Sequence, residues 1–157
     1  GMPGGPTEWI WQDRIGLQTS LNQGALFGLG QGGTPLFVVL SAAALVGVLL
    51  WLFYARAARD LFITIALGCV AAGILGNLYD RLGLHGLTWP PGHPGHPAGS
   101  LMRGVRDWIL VMIGKWPWPN FNLADSLLVC GAILLIGHAL LSGRHAKQPS
   151  KSPPQAV

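Results

Sequence analysis

Three apolar runs dominate the chain, at 36–55, 61–79 and 123–142, the first two without a charge. The first, Leu36 to Ala55, holds twenty residues. At about 1.5 Å rise per residue, that length matches a hydrocarbon core of about 30 Å. Each run therefore predicts a membrane-crossing helix. Trp51 and Tyr54 close the first run, where interfacial aromatics belong. Gly68, Ala71, Ala72, Gly73 and Gly76 mark the second as a face that another helix approaches closely. A fourth apolar stretch, 105–116, is too short to span and predicts a re-entrant or interfacial element.

Polar segments separate these runs. Residues 1–20 are polar and aromatic, with no basic stretch leading into an apolar one, so no signal peptide is visible. Gly1 ahead of Met2 reads as a truncated start. Residues 21–34 carry five glycines and predict a short irregular β-rich element at the membrane surface. No Gly-Lys-Ser/Thr follows to make them a phosphate loop. Residues 82–104 contain Pro90-Pro91 and a Gly-His-Pro-Gly-His-Pro tract, and predict a solvated, mobile loop. His93 and His96 have no helix to hold them facing one another and no further Cys or carboxylate in the tract, so no metal site is expected. His138, inside the last run, is expected to pack between helices.

Composition agrees with a membrane protein. Charged residues make up 10% of the 157 positions and mean hydropathy is +0.44, whereas a soluble domain carries about 25% charged residues. The net charge of +4 comes from scattered bases, with no basic cluster interleaved with aromatics, so nucleic acid is not an expected partner. Cys69 and Cys130 lie in apolar runs and read as packing residues. Arg56 and Arg59 crowd the shortest loop and Arg144, Lys147 and Lys151 the tail, while four basic residues are spread over 80–122. The positive-inside rule then puts Asp80, Asp107 and the start of the last helix on the outer side.

The acids are the candidate chemistry. The chain has only six, and an ionised Asp inside a helix in hydrocarbon costs about 2.5–3.5 kcal/mol on insertion scales. Asp125 nevertheless stands at the mouth of the last run, 18 positions after Asp107. Each acid has a simple structural explanation. Asp125 suits a first helical turn, Asp80 suits a salt bridge to Arg81, and Asp107 suits the surface. The alternative is convergence, in which one ionised carboxylate takes a proton from water and the other, protonated, donates to a scissile carbonyl. Two neighbouring carboxylates cannot both ionise easily, which separates those roles. A binding or assembly protein with a polar acid network, or a proton pathway through the membrane, are the competing readings.

Four motifs in order tip the balance. Asn22-Gln23-Gly24-Ala25-Leu26-Phe27, Gly76-Asn77-Leu78-Tyr79-Asp80-Arg81, Val105-Arg106-Asp107-Trp108-Ile109 and Pro119-Asn120-Phe121-Asn122-Leu123-Ala124-Asp125 together resemble the bacterial lipoprotein signal peptidase (signal peptidase II) family. The resemblance runs from about residue 20 to 142. It implies an aspartic endopeptidase of the bacterial inner membrane, with its site near the outer face and no metal or organic cofactor. Its implied partners are membrane lipids and diacylglyceryl-modified prolipoproteins, cut before the lipidated cysteine. By motif match, Asp107 and Asp125 would be the catalytic pair. Asn22, Asn77, Arg81 and Asn122 would be supports or substrate contacts, and Asp80 would hold the site together.

The expected fold is an all-α integral membrane bundle with a small β-rich extracytoplasmic element. It would form one domain over 1–142, followed by a disordered basic tail, 143–157. Three departures from the family stand out. Three spans are visible where the family has four, the stretch from Arg81 to Asp107 is longer than usual, and Arg106 and Trp108 replace the common Val and Phe.

Overall fold

The computed structural model describes residues 5–24 and 32–145. Strands β1 (Glu8–Trp11) and β2 (Ile15–Asn22) precede helix α1 (Thr34–Leu49). Helix α2 (Leu61–Arg81), strands β3 (Val105–Ile113) and β4 (Trp116–Pro117), and helix α3 (Leu123–His145) follow. Three stretches, Thr34–Tyr54, Leu61–Arg81 and Leu123–Ser142, are long and apolar enough to cross a membrane. They coincide with the three expected spans to within a few residues.

Local chemistry sets the helix ends. Pro occupies the first turn of α1, where its missing N–H is no loss. The last turn of that span is a π-helix, Leu50–Tyr54, and Arg56 then reverses the chain in the left-handed region at φ 60°. Asp60 caps α2, its carboxylate accepting from the N–H groups of Phe62 and Ile63 at 2.8 and 3.1 Å. Asp60 also faces His138 Nε2 of α3 at 3.3 Å, and the His138 ring stacks on Phe62. His138 therefore packs helix to helix, as expected.

Helix α2 is the central element and packs against both α1 and α3. Its contact with α3 is a close approach of backbones. A Cβ built on Gly73 would lie 2.5 Å from the Ala124 carbonyl oxygen, and one on Gly131 would lie 2.7 Å from that of Ala66. Gly76 likewise faces the Ala124 methyl. The small residues of the second run thus do the packing work expected of them, although Gly68 faces open space. Cys69 and Cys130 are free thiols.

Two expectations need correction. Residues 105–116, expected as a re-entrant or interfacial element, are strand. They are β3, its turn at Gly114 (φ 65°) and the start of β4, and the density of Val and Ile suits a strand. The sheet's second half comes from residues 8–22 rather than 21–34. Strand order is β1-β2-β3-β4 and every pairing is antiparallel. Pairing of β2 with β3 is irregular between Leu17 and Ser20. Inward residues on β3 change parity there too, from Val105 and Asp107 to Leu110.

The 82–104 segment, largely exposed as expected, is organised as a hairpin. Thr88 bridges to Leu101, and Trp89 and Met102 are buried. His93 and His96 both lie against the Trp89 ring at 4.1 Å between centroids. The expectations for 1–4, for 25–31 of the glycine-rich segment and for the tail at 146–157 lie outside the described residues.

Candidate active site

The described polar or charged residues that are buried number four: Asn77, Asp80, Asp107 and Asn122. They gather where α2 ends, β3 begins and α3 starts. Two tethers bring those segments together. Phe121 bridges to Ile109, its carbonyl accepting from the N–H groups of Trp108 (3.0 Å) and Ile109 (2.8 Å). Asn120 Nδ2 donates to the Gln18 carbonyl at 2.7 Å, tying the same segment to β2.

Helix α3 opens with a capping box built from Asn and Asp. Asn122 Oδ1 accepts from the Asp125 N–H at 3.0 Å, and Asp125 Oδ2 accepts from the Asn122 N–H at 3.1 Å. The cap occupies one end of the Asn122 amide and leaves its Nδ2 free. That nitrogen donates to Asp107 Oδ1 at 2.8 Å and to Asn77 Oδ1 at 3.1 Å. Asn77 Nδ2 in turn donates to Asp125 Oδ1 at 2.8 Å. A continuous chain therefore runs Asp107, Asn122, Asn77, Asp125. Asn22 Nδ2 closes the outer side with a 3.3 Å bond to Asp107 Oδ2, and Asn22 Oδ1 accepts from the Gly24 N–H at 3.0 Å.

These bonds dispose of one simpler explanation from the sequence and add to another. Asp107 is not a surface acid, being only 4% exposed. Asp125 does serve its helix start, but the same carboxylate is also joined to Asp107 through two amides. Burial pushes the Asp107 carboxyl up to about 6, with the Asp125 charge adding to the effect and the Asn122, Asn22 and Arg81 side chains opposing it. Asp107 can thus hold a proton in mildly acidic conditions, where an ordinary Asp would not.

Asp80 does not pair with Arg81. It takes three N–H bonds from Arg106: the backbone N–H to Oδ2 at 2.9 Å, Nε to Oδ1 at 3.0 Å and a terminal guanidinium nitrogen to Oδ1 at 2.7 Å. Arg106 had entered only as a departure from the motif. Its neighbour Asp107 is the signal that could have found it, because a carboxylate gripping one residue fixes the next. Arg81 instead donates to the Gly24 carbonyl at 3.3 Å and lies over the Phe37 ring, 5.3 Å from its centroid. Asp80→Asn should therefore loosen the start of β3 and cost about 1–3 kcal/mol of stability, which denaturation in detergent checks.

An open cavity of about 460 Å³ adjoins the cluster. Its wall holds the amides of Asn77 and Asn122, each one hydrogen bond from an acid. Among the described residues, no group of three or more His, Cys, Asp or Glu is placed to share a metal ion.

The sequence profile of the signal peptidase (SPase) II family matches residues 2–141. The chain belongs to the signal peptidase II family. It is 48% identical over 138 residues to a lipoprotein signal peptidase of Rhodopirellula baltica, covering 87% of this chain and 59% of that protein. A lipoprotein signal peptidase of Rhodococcus jostii is 36% identical over 135 residues, 85% of this chain and 58% of that one. The chain thus spans somewhat under two thirds of the length of these relatives. One from Shouchella clausii is 32% identical over 86% of this chain and 75% of its own length.

Among solved structures, a bacterial membrane enzyme determined by the in meso method at 2.3 Å superposes with a TM-score of 0.72. It is 26% identical, over 96% of this chain and 79% of that one. A second such enzyme, at 1.9 Å, gives 0.67 with 28% identity, over 88% and 77% of the two chains. Family membership and fold agree with the spans and the sheet.

Proposed function

We propose that this protein removes signal peptides from diacylglyceryl-modified prolipoproteins, cutting before the lipidated cysteine, with Asp107 and Asp125 as the catalytic pair. The observation that carries the reading is the Asn122 amide. It ties one acid by side-chain donation and the other by a reciprocal cap, so both are fixed by one residue.

In this reading Asp107 is the protonated partner and Asp125 the base. Asp125 accepts a proton from water as the water oxygen bonds to the scissile carbonyl carbon. Asp107 gives its proton to the carbonyl oxygen, leaving a neutral tetrahedral diol. Collapse breaks the C–N bond, returns one hydroxyl proton to Asp107 and passes the Asp125 proton to the leaving nitrogen. Water is consumed, and both carboxyls end in their starting states. Asn22, Asn77 and Asn122 hold the oxygens, Asp80 and Arg106 hold the start of β3, and Arg81 supplies positive charge nearby.

The distribution of bases supports an outward-facing site. Arg56 and Arg59 sit at the end of α2 opposite Asp80, and bases favour the cytoplasmic side. The acids then face outward at the inner membrane, with the substrate arriving along the membrane plane.

The direct test is cleavage of a synthetic diacylglyceryl lipopeptide by the purified full-length protein in lipid bilayers, with products identified by mass. No cleavage would overturn the proposal. The pH dependence follows from the pair. Fewer than one shared proton removes the acid, so kcat/KM should fall about tenfold per unit as pH rises above about 6. Bound substrate expels water and further disfavours a second negative charge, so the falling limb of kcat should lie at higher pH than that of kcat/KM.

A further inference from the structure

The acid pair is held by neutral donors. Asp107 accepts from the amides of Asn22 and Asn122, and Asp125 from the Asn77 amide and the Asn122 backbone N–H. Asp80, next to Arg81 in the chain, is taken by Arg106. Arg81 thus stands near three acids and pairs with none of them. The ion pairs among the described residues are Arg106–Asp80 and His138–Asp60. The Arg81 charge still reaches the site, where it opposes the upward push of burial on the Asp107 carboxyl.

Two contacts hold Arg81 in that place. One terminal nitrogen donates to the Gly24 carbonyl at 3.3 Å, and the guanidinium lies over the Phe37 ring, 5.3 Å from its centroid. Its Nε is buried and has no hydrogen-bond partner among the described residues. Phe37 closes the first turn of α1, its N–H donating to the Gly33 carbonyl at 3.2 Å. Thr34 Oγ1, at the start of the same helix, lies 3.4 Å from the Gln23 carbonyl oxygen and 3.5 Å from that of Arg103. These contacts set the ring and the Gly24 carbonyl in place together, beside Asn22.

A guanidinium is attracted to an aromatic face, most strongly where water is excluded. An aliphatic side chain offers no such face. Without the ring, the nearest compensation for a desolvated guanidinium is a carboxylate. A cation in contact with a carboxyl favours its ionised form, and a pair that works by sharing one proton then loses it at lower pH.

We infer that Phe37 is a positioning residue, whose ring holds the Arg81 guanidinium beside the acid pair but out of ion-pair contact, so that the pair keeps its shared proton. The inference rests on the peptidase reading above. Its test is a pH series of diacylglyceryl lipopeptide cleavage by the full-length protein in bilayers, with an infrared titration of the protonated-carboxyl band that Asp107→Asn removes.

Phe37→Leu should move the falling limb of kcat/KM down by about one pH unit, a loss of about tenfold near neutral pH, with activity on the acid side of both limbs within about threefold. Phe37→Met, which keeps bulk without a ring, should behave alike, and Phe37→Tyr should restore the wild-type limb. The infrared midpoint, at about 6 in the wild type, should fall by about one unit in the ringless variants. A limb and a band that both stay in place would overturn the inference. An equal loss at every pH with the limb unmoved overturns it too, as the mark of a packing residue, and so does the same shift in Phe37→Tyr. Failure of the wild-type protein to cleave any lipopeptide overturns the peptidase reading instead, and the infrared titration then decides the role of Phe37 alone.

Discussion

Asp107→Asn and Asp125→Asn should each abolish lipopeptide cleavage, with a loss of at least about 10³-fold in kcat while the protein still inserts and folds. A positioned acid or base contributes about 10²–10⁴-fold on its own. Here each change removes one of two mutually dependent groups, so each single variant should fall nearly as far as the double. The two substitutions differ structurally. Asn at 107 retains an oxygen for one of its two amide donors, Asn22 or Asn122. Asn at 125 must still close the capping box and also meet Asn77 Nδ2. Asp125→Asn should therefore be the less stable of the two, by about 1 kcal/mol, the worth of a helix cap. Activity in bilayers alongside denaturation in detergent separates the two effects. Either single variant cleaving within tenfold of wild type would show that the pair is not the catalytic one.

The asymmetry between those variants shows where the sequence was readable. The spans were legible because apolar runs of about twenty residues have few alternatives in a membrane. The acids were legible as anomalies, and their order in four motifs as a resemblance. Their connection was not. Asp125 looked like a helix-start acid, and it is one; that Asn122 completes the cap with its oxygen and reaches Asp107 with its nitrogen is a tertiary fact. Asp80 beside Arg81 suggested a local pair, but adjacent residues on a helix point apart, and the partner came from β3 instead. Strand β3 was misread because nine mostly apolar residues do not declare their period, and a ladder irregularity opposite Asp107 shifts its inward face. The pairing inside 82–104 was not legible, because Pro and Gly mark turns without saying whether a Trp will be buried among them.

The position of the acids also depends on how closely α2 and α3 meet, so a change far from any carboxylate should disable the site. Gly73→Val is the sharpest case. Even its Cβ would fall 2.5 Å from the Ala124 carbonyl oxygen and 2.6 Å from Leu128 Cγ. A carbonyl in the second residue of α3 cannot move alone, so the helices must separate. Asn77 lies one turn beyond Gly73 on α2 and holds Asp125 one residue after Ala124, so separation stretches the 2.8 Å bond between them. Overpacking of this kind costs about 1–3 kcal/mol, occasionally more, and a displacement of about 1 Å at a catalytic group costs about 10²-fold in rate. Gly73→Val should therefore lose most activity with all its acids intact, and should denature at lower detergent concentration. Gly68→Ala, one turn nearer the start of the same helix, meets nothing within 4 Å and should leave activity unchanged while stabilising α2 by up to about 1 kcal/mol. If both variants behaved alike, the close approach of α2 and α3 would not be what positions the pair.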